Sequence, residues 1–286
     1  MELKRLLNHS EEVTDRRLRD ACEPHGVRVF AKVRLADILP IDASGITTRE
    51  YAFALKAHVD FLVVDADLAP LFAVEFDGPQ HRDATQVARD ATKNDLCRRF
   101  GLPLLRVDDR FLDRRYMNMD LLGWLVGVVL TRRRDRELVQ AGELSPEDAA
   151  AADPIFCAPF VISYEARQRL VALSEAGMCE RYPPFFIGVD EQDNAYAIAG
   201  LLFASNQWLY ITAEMPYQGF FLLAEDLLEE IIYIKLADAA EAVIAGKRQL
   251  APPAEFAHEV GKYLDKYQTR HAFLINPRAR EIGRMG

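Results

Sequence analysis

The segment HVDFLVVDADLAPLFAVEFDGPQH, residues 58–81, holds the side chains best placed to do chemistry. Two apolar, β-rich runs flank DADLAP, whose composition is that of a turn. A hairpin with its turn centred between Asp67 and Leu68 pairs Val64 with Leu71, Asp60 with Glu75 and His58 with Asp77. Side chains alternate along a strand, so Glu75 and Asp77 share one face while Val74 and Phe76 share the other. Asp60, Glu75 and Asp77 are then expected to converge at the end of the hairpin away from the turn. Like charges facing each other across a sheet destabilise it, and partial burial beside Phe61, Val63, Val74 and Phe76 raises the cost. A bound cation offsets that cost. Hard carboxylate oxygens suit Mg²⁺ or Mn²⁺ rather than zinc. The simpler alternative is a set of solvated acids that cap strand ends.

The elements that must carry this hairpin can be read around it. Residues 11–24 have helical spacing, with Val13, Leu18 and Ala21 on one side. Residues 27–35, VRVFAKVRL, alternate as a half-buried strand does. Residues 83–100 predict a helix that stops at Gly101, with Asp83 and Gln86 as a capping box. Residues 103–107 predict a strand, and residues 114–134 a closing helix that contains the apolar run LLGWLVGVVL. The order is helix, strand, hairpin, helix, strand, helix, which makes an α/β sandwich with a mixed sheet. Residues 141–154, AGELSPEDAAAADP, read as a linker. The domains expected are residues 1–140 and residues 155–286. The second predicts helices over 163–176, 222–247 and 256–266 and strands over 185–189, 195–203 and 208–212, a smaller α+β domain.

Taken in order, Asp60, then Glu75-Phe76-Asp77-Gly78, His81, Arg89-Asp90, Lys93, Gly101-Leu102-Pro103 and Leu105-Arg106 resemble the PD-(D/E)XK, restriction-endonuclease-like superfamily. The likeness is closest to a bacterial branch near the very-short-patch-repair endonucleases, and residues 29–39, VFAKVRLADIL, fit that branch. It covers about residues 1–125. The resemblance implies a restriction-endonuclease-like α/β/α sandwich. It makes Asp60 and Glu75 metal ligands, with the Phe76 carbonyl as a further one. The chain departs from the pattern at Asp77, where the superfamily usually has a water-orienting lysine. His81, and Lys93 or Arg89 on the following helix, are implied as replacements, and Gln80 as a residue aligning water. Glu11 or Glu12 would match an acid that the first helix contributes in some members.

Plainer readings stand beside these. His81 can simply end a strand-to-helix loop, Asp90 and Lys93 can form a surface pair, and Arg106 can bridge an acid of the sheet. His58 can support Asp77 if the assumed register holds.

The activity implied is Mg²⁺- or Mn²⁺-dependent hydrolysis of phosphodiesters, with DNA favoured over RNA, in a repair or defence setting. Asp60 and Glu75 would hold the metal, while His81 or Lys93 would orient water or stabilise the transition state. Gln80, Arg89 and Arg106 are the expected nucleic-acid contacts. The alternatives are a catalytically silent nuclease-like module, favoured by Asp77, and an unrelated metal enzyme built on a similar hairpin.

Composition bounds the partners. Half of the 286 residues are hydrophobic and 28% are charged, enough to build a core. The net charge of −9 argues against generic nucleic-acid binding. The acidic excess belongs to residues 141–286, which suits a protein partner. The first half is close to neutral and carries arginine clusters at 98–99, 110–115 and 132–136, each readable as a solvated helix face. Cys22, Cys97, Cys157 and Cys179 lack framework or zinc-knuckle spacing. With no signal-like or membrane-length apolar run, a cytoplasmic location is expected.

Overall fold

The structure, a computed structural model, describes residues 5–78, 84–116, 119–153, 161–215, 220 and 224–275. The chain divides into two compact units: residues 1–157 with 218–221, and residues 158–217 with 222–286.

The first unit opens with α1 (His9–Cys22). The Asn8 side chain accepts the Glu11 N–H at 2.9 Å, and the Glu11 carboxylate accepts the Asn8 N–H at 2.9 Å. This capping box fixes both the helix start and the Glu11 side chain. Next come β1 (Arg28–Arg34), the short helices α2 (Leu35–Ile38) and α3 (Thr48–Ala54), β2 (His58–Val64), β3 (Pro70–Phe76), α4 (Ala84–Arg99) and β4 (Leu104–Val107). The sheet order is β1-β2-β3-β4. The pairs β1–β2 and β2–β3 are antiparallel, and β3–β4 is parallel. A parallel pair needs a crossover, which α4 supplies. After His58 every residue of β2 is buried. Burial on both faces is what covered central strands require. Leu62, Val64 and Ala73 pack with Ala54, Ala57, Leu96 and Cys97 into one core cluster.

Three sequence expectations are corrected in this unit. The closing helix does not begin at 114. Instead β5 (Arg114–Tyr116) and β6 (Met119–Asp120) pair as a small antiparallel ribbon. The helix α5 (Leu121–Ala141) starts only where the Asp120 carboxylate accepts the Gly123 N–H at 2.7 Å. Asp120 also binds Arg17 of α1 at 2.9 Å, so α1 and α5 are tied at that cap. The expected linker carries a helix, α6 (Pro146–Ala151), capped by Ser145. The hairpin follows the expected register at Phe61–Val74, Leu62–Ala73 and Val63–Phe72, but Val64 pairs with Pro70 and not with Leu71. The cause is the turn. Asp65 Oδ1 accepts the N–H groups of Asp67 and Ala69, and Leu68 sits at φ +65°. That loop is wider than a two-residue turn and shifts the last pair by one.

The second unit holds α7 (Tyr164–Glu175), β7 (Phe185–Val189), β8 (Ala195–Leu202), β9 (Trp208–Met215), α8 (Ala224–Ile244), α9 (Pro253–Lys266) and β10 (Gln268–Phe273). Its sheet is antiparallel throughout, in the order β10-β7-β8-β9. The edge strand β10, absent from the sequence reading, is exposed along its whole length. The helix α9 seats on the sheet at Gly200, where a Cβ would stand 2.4 Å from Phe256 Cζ. Phe256 in turn stacks on Trp208 with ring centroids 4.4 Å apart.

Cys22, Cys97 and Cys179 are free and buried, and Cys157 lies outside the described residues. Among the described residues no helix is long and apolar enough to cross a membrane.

Candidate functional site

The pairing of β2 with β3 ends at Phe61–Val74, and just beyond it the two acids take over the ladder. The Asp60 N–H donates to Glu75 Oε1 at 3.2 Å, and the Phe76 N–H donates to Asp60 Oδ2 at 2.9 Å. Both acids are largely inaccessible, Asp60 at 9% and Glu75 at 5%. Each still has a second oxygen, and each of those oxygens meets an ammonium. Lys32 Nζ lies 2.7 Å from Asp60 Oδ1, and Lys93 Nζ lies 2.7 Å from Glu75 Oε2.

Lys93 arrives there by helical spacing. Gln86, Arg89, Asp90 and Lys93 recur along α4 at helical intervals and all line one cleft. Leu96 and Cys97, one turn further on, are buried and anchor that face. Lys32 arrives by a different route. On the edge strand β1 the register is the same at Ala31–Phe61 and at Val33–Val59, so position 32 stands across from Asp60. Its φ is +55°, a left-handed value that a lysine rarely adopts. Lys32 also reaches Glu11 Oε1 at 2.9 Å, which draws the capping carboxylate of α1 into the group.

The cleft around these groups has a volume of about 240 Å³. A larger groove, about 530 Å³, lies between α5 and α6, where Arg132 and Asp153 pair at 2.8 Å. It gathers no comparable set of buried acids and lysines among the described residues.

The electrostatics follow the burial. Burial pushes the Glu75 carboxyl above its ordinary value, against the pull of Lys93. Burial works against the Lys32 ammonium, but the hydrogen bonds to Asp60 and Glu11 outweigh it and hold the group above 10.5. Burial lowers His58, and the nearby Lys32 and Lys93 charges lower it further.

Several expectations about individual residues change. Asp77 does not join Asp60 and Glu75. Its Oδ1 lies 2.6 Å from Arg106 Nη1, because β4 runs parallel to β3 and sets Arg106 beside Glu75. The acid that joins the pair through Lys32 is Glu11. His58 lies opposite Arg34 on β1 and lines the cleft, while Asp77 is taken by Arg106. Asp90 and Lys93 are not a pair: Asp90 binds Arg106 at 3.2 Å and Lys93 binds Glu75. Arg106, expected to contact nucleic acid, also donates to Asn94 Oδ1 at 3.0 and 3.1 Å, so its guanidinium is committed within the fold. Arg89 is exposed at the cleft wall, and Phe76 lines the cleft from the strand. Gln80, His81 and the Asp83 capping position lie outside the described residues, as do the side chains of Arg110, Arg114 and Arg115.

A family model described as "Protein of unknown function (DUF2726)" matches residues 3–116. No curated protein and no solved structure matches the chain. The matched segment contains every residue that lines the cleft, from Glu11 to Lys93.

The charge compensation that the sequence argument assigned to a metal ion is supplied here by Lys32 and Lys93. Among the described residues, no group of three or more histidine, cysteine, aspartate or glutamate side chains is placed to hold a metal. The donor chemistry of the Asp60–Glu75 pair nevertheless fits Mg²⁺. That ion keeps most of its waters and takes one or two protein carboxylates, the rest coming from substrate phosphates. Each carboxylate oxygen has two lone pairs, so an oxygen that accepts from an ammonium retains a further site. Sequence reasoning missed Lys32. Aligning β1 against β2 sets it across from Asp60, and that was the available signal.

Proposed function

We propose that the first unit is a metal-dependent nuclease of the restriction-endonuclease-like kind, hydrolysing phosphodiesters with Mg²⁺ or Mn²⁺, and with DNA as the favoured substrate. The observation that carries this reading is the pair of buried carboxylates where β2 and β3 diverge. They face a cleft that Lys93 and Glu11 also line. Support also comes from the mixed sheet, covered on both faces, with its α4 crossover between β3 and β4. What Mg²⁺ or Mn²⁺ supplies in such a site is Lewis-acid polarisation of a phosphoryl oxygen and a more acidic bound water.

The chain's own contribution is positional and electrostatic. Asp60 and Glu75 would hold the metal, with the Phe76 carbonyl beside them. Lys93 neutralises Glu75 and keeps positive charge at the cleft, where a polyanion must approach two acids. Arg89 on the cleft wall would contact phosphate without reading sequence. His81 and Gln80 belong to the proposal as water-aligning residues. The second unit, with its acidic excess, is read as a surface for a protein partner.

A second reading is favoured by two specific observations. Asp77 stands where the superfamily pattern has lysine, and the two lysines already neutralise the buried acids. On that reading the unit is a catalytically silent module that binds nucleic acid or scaffolds a partner.

One experiment separates them. Supercoiled plasmid and single-stranded DNA are incubated with the full chain and Mg²⁺ or Mn²⁺, beside Asp60→Asn, Glu75→Gln and EDTA controls. Cleavage that disappears in both variants and in EDTA supports the nuclease. No cleavage on either substrate, with no metal-induced rise in Tm, overturns it.

A further inference from the structure

Asp60 and Glu75 lie deep in their cleft, so a substrate phosphate reaches them only by passing between the residues that line it. Two walls supply most of that lining. Phe53, Lys56 and His58 come from the junction of α3 with β2, and Gln86 and Arg89 come from α4. The two walls are fixed to each other. Ala54 and Ala57 share one core cluster with Leu96 and Cys97 of α4. Arg99 of α4 also binds Glu50 of α3 at 2.6 Å, although an exposed pair of this kind contributes little. The junction itself is tight. The Ala57 N–H donates to the Phe53 carbonyl at 2.8 Å, and the Ala57 carbonyl accepts the Leu35 N–H at 2.9 Å. Spreading the walls would therefore open the core. The space between them, about 240 Å³, is below the ~300–1,000 Å³ that a drug-sized ligand fills. It has room for one phosphodiester with its sugar and not for two paired strands.

The lining also has the chemistry for a single strand. Lys56 and Arg89, both exposed, give each wall one cation for a phosphate. The exposed His58 and the half-buried Phe53 add ring surface on the side of Lys56. A base stacks on such a ring only when it has left its duplex. We propose that this cleft takes an unpaired strand of nucleic acid, DNA on the favoured reading, and rejects a continuous duplex. Lys56 and Arg89 hold phosphates that neighbour the one reaching Asp60 and Glu75, and His58 receives an unstacked base. The cleavage of that strand rests on the nuclease reading, while the choice of strand can be read separately through binding.

The test uses the full chain with Mn²⁺ and end-labelled DNA of one sequence in three forms: the single strand, its blunt duplex, and the duplex with an unpaired tail. The single strand is expected to be cut about 100-fold faster than the blunt duplex, and the cuts in the tailed form to fall in the tail. Lys56→Ala, at an exposed position, is expected to raise KM for the single strand about fivefold with kcat little changed. It is also expected to lower the slope of log affinity against log salt by about 0.7. Cleavage of the blunt duplex within about fivefold of the single strand would overturn the inference and leave the nuclease reading intact. An unaltered KM and salt slope in Lys56→Ala would overturn the role given to that lysine. If the wild type cuts none of the three, the nuclease reading falls, and fluorescence anisotropy of the same DNAs in Mn²⁺ decides the inference. Single-strand binding about tenfold tighter than duplex binding would sustain it, and equal binding would overturn it.

Discussion

Arg106 and Asp77 meet at 2.6 Å on neighbouring parallel strands, at the position where the motif pattern would place a lysine. The same guanidinium also binds Asp90 and Asn94 of α4. Asp77 is therefore the strand's contribution to a link between β3, β4 and α4.

Restoring the motif lysine should consequently fail. Asp77→Lys would set a second cation against Arg106, whose side chain is only 14% exposed. We expect a loss of about 2 kcal/mol in stability by urea denaturation, and no gain in plasmid cleavage. A variant that is both stable and more active would show that Asp77 is a vacant catalytic position.

Removing Asp60 should cost more than its charge suggests. Asp60→Ala leaves the Phe76 N–H without its acceptor and takes one of the two carboxylates from Lys32. Breaking one side of such a pair costs about 3 kcal/mol. Chemical denaturation in EDTA reads this directly, and a loss below about 1 kcal/mol would contradict the hydrogen bonding described.

The alkaline limb of stability carries a signature of Lys32. Its folded value is raised above 10.5, so it contributes stability that is present below 10.5 and is lost as pH rises through the folded value. Wild type in EDTA should therefore lose stability above pH 10.5 more steeply than Lys32→Met. Parallel curves for the two proteins would show that the ammonium has no folded partners.

In the second unit, Gly200→Ala should dislodge the contact between α9 and the sheet. The added methyl group would stand 2.4 Å from the Phe256 ring, which is fully buried and stacked on Trp208. Overpacking of this kind costs about 1–3 kcal/mol. Urea unfolding followed by tryptophan fluorescence measures it. An unchanged midpoint would mean that the helix moves away at no cost.

The hairpin was readable because its signals are local. Alternating burial and turn composition bring Phe61 opposite Val74. They fail at Val64, where Asp65 uses its side chain to widen the loop. The meeting of Asp60 with Glu75 follows from that same register. The place of Asp77 does not, because it depends on Arg106, 29 residues away, arriving on a parallel strand. Lys93 was legible as one member of a helical stripe. Nothing in VFAKVRL marks the reversal of φ at Lys32, since glycine, the residue that usually announces it, is absent. The strand β10 escaped for a related reason. Exposed along its length, it shows no apolar alternation to betray it.

The hydrogen bonds that Asp60 and Glu75 exchange with the opposite strands change what their presence in other chains would signify. Functional residues are commonly dispensable for folding, so a lineage that abandons a reaction is free to lose them. These two acids instead complete the sheet where its backbone pairing ends. A descendant with no activity would still be under selection to keep both. Lys32 belongs with them, because its ammonium joins Asp60 of the sheet to Glu11 of α1.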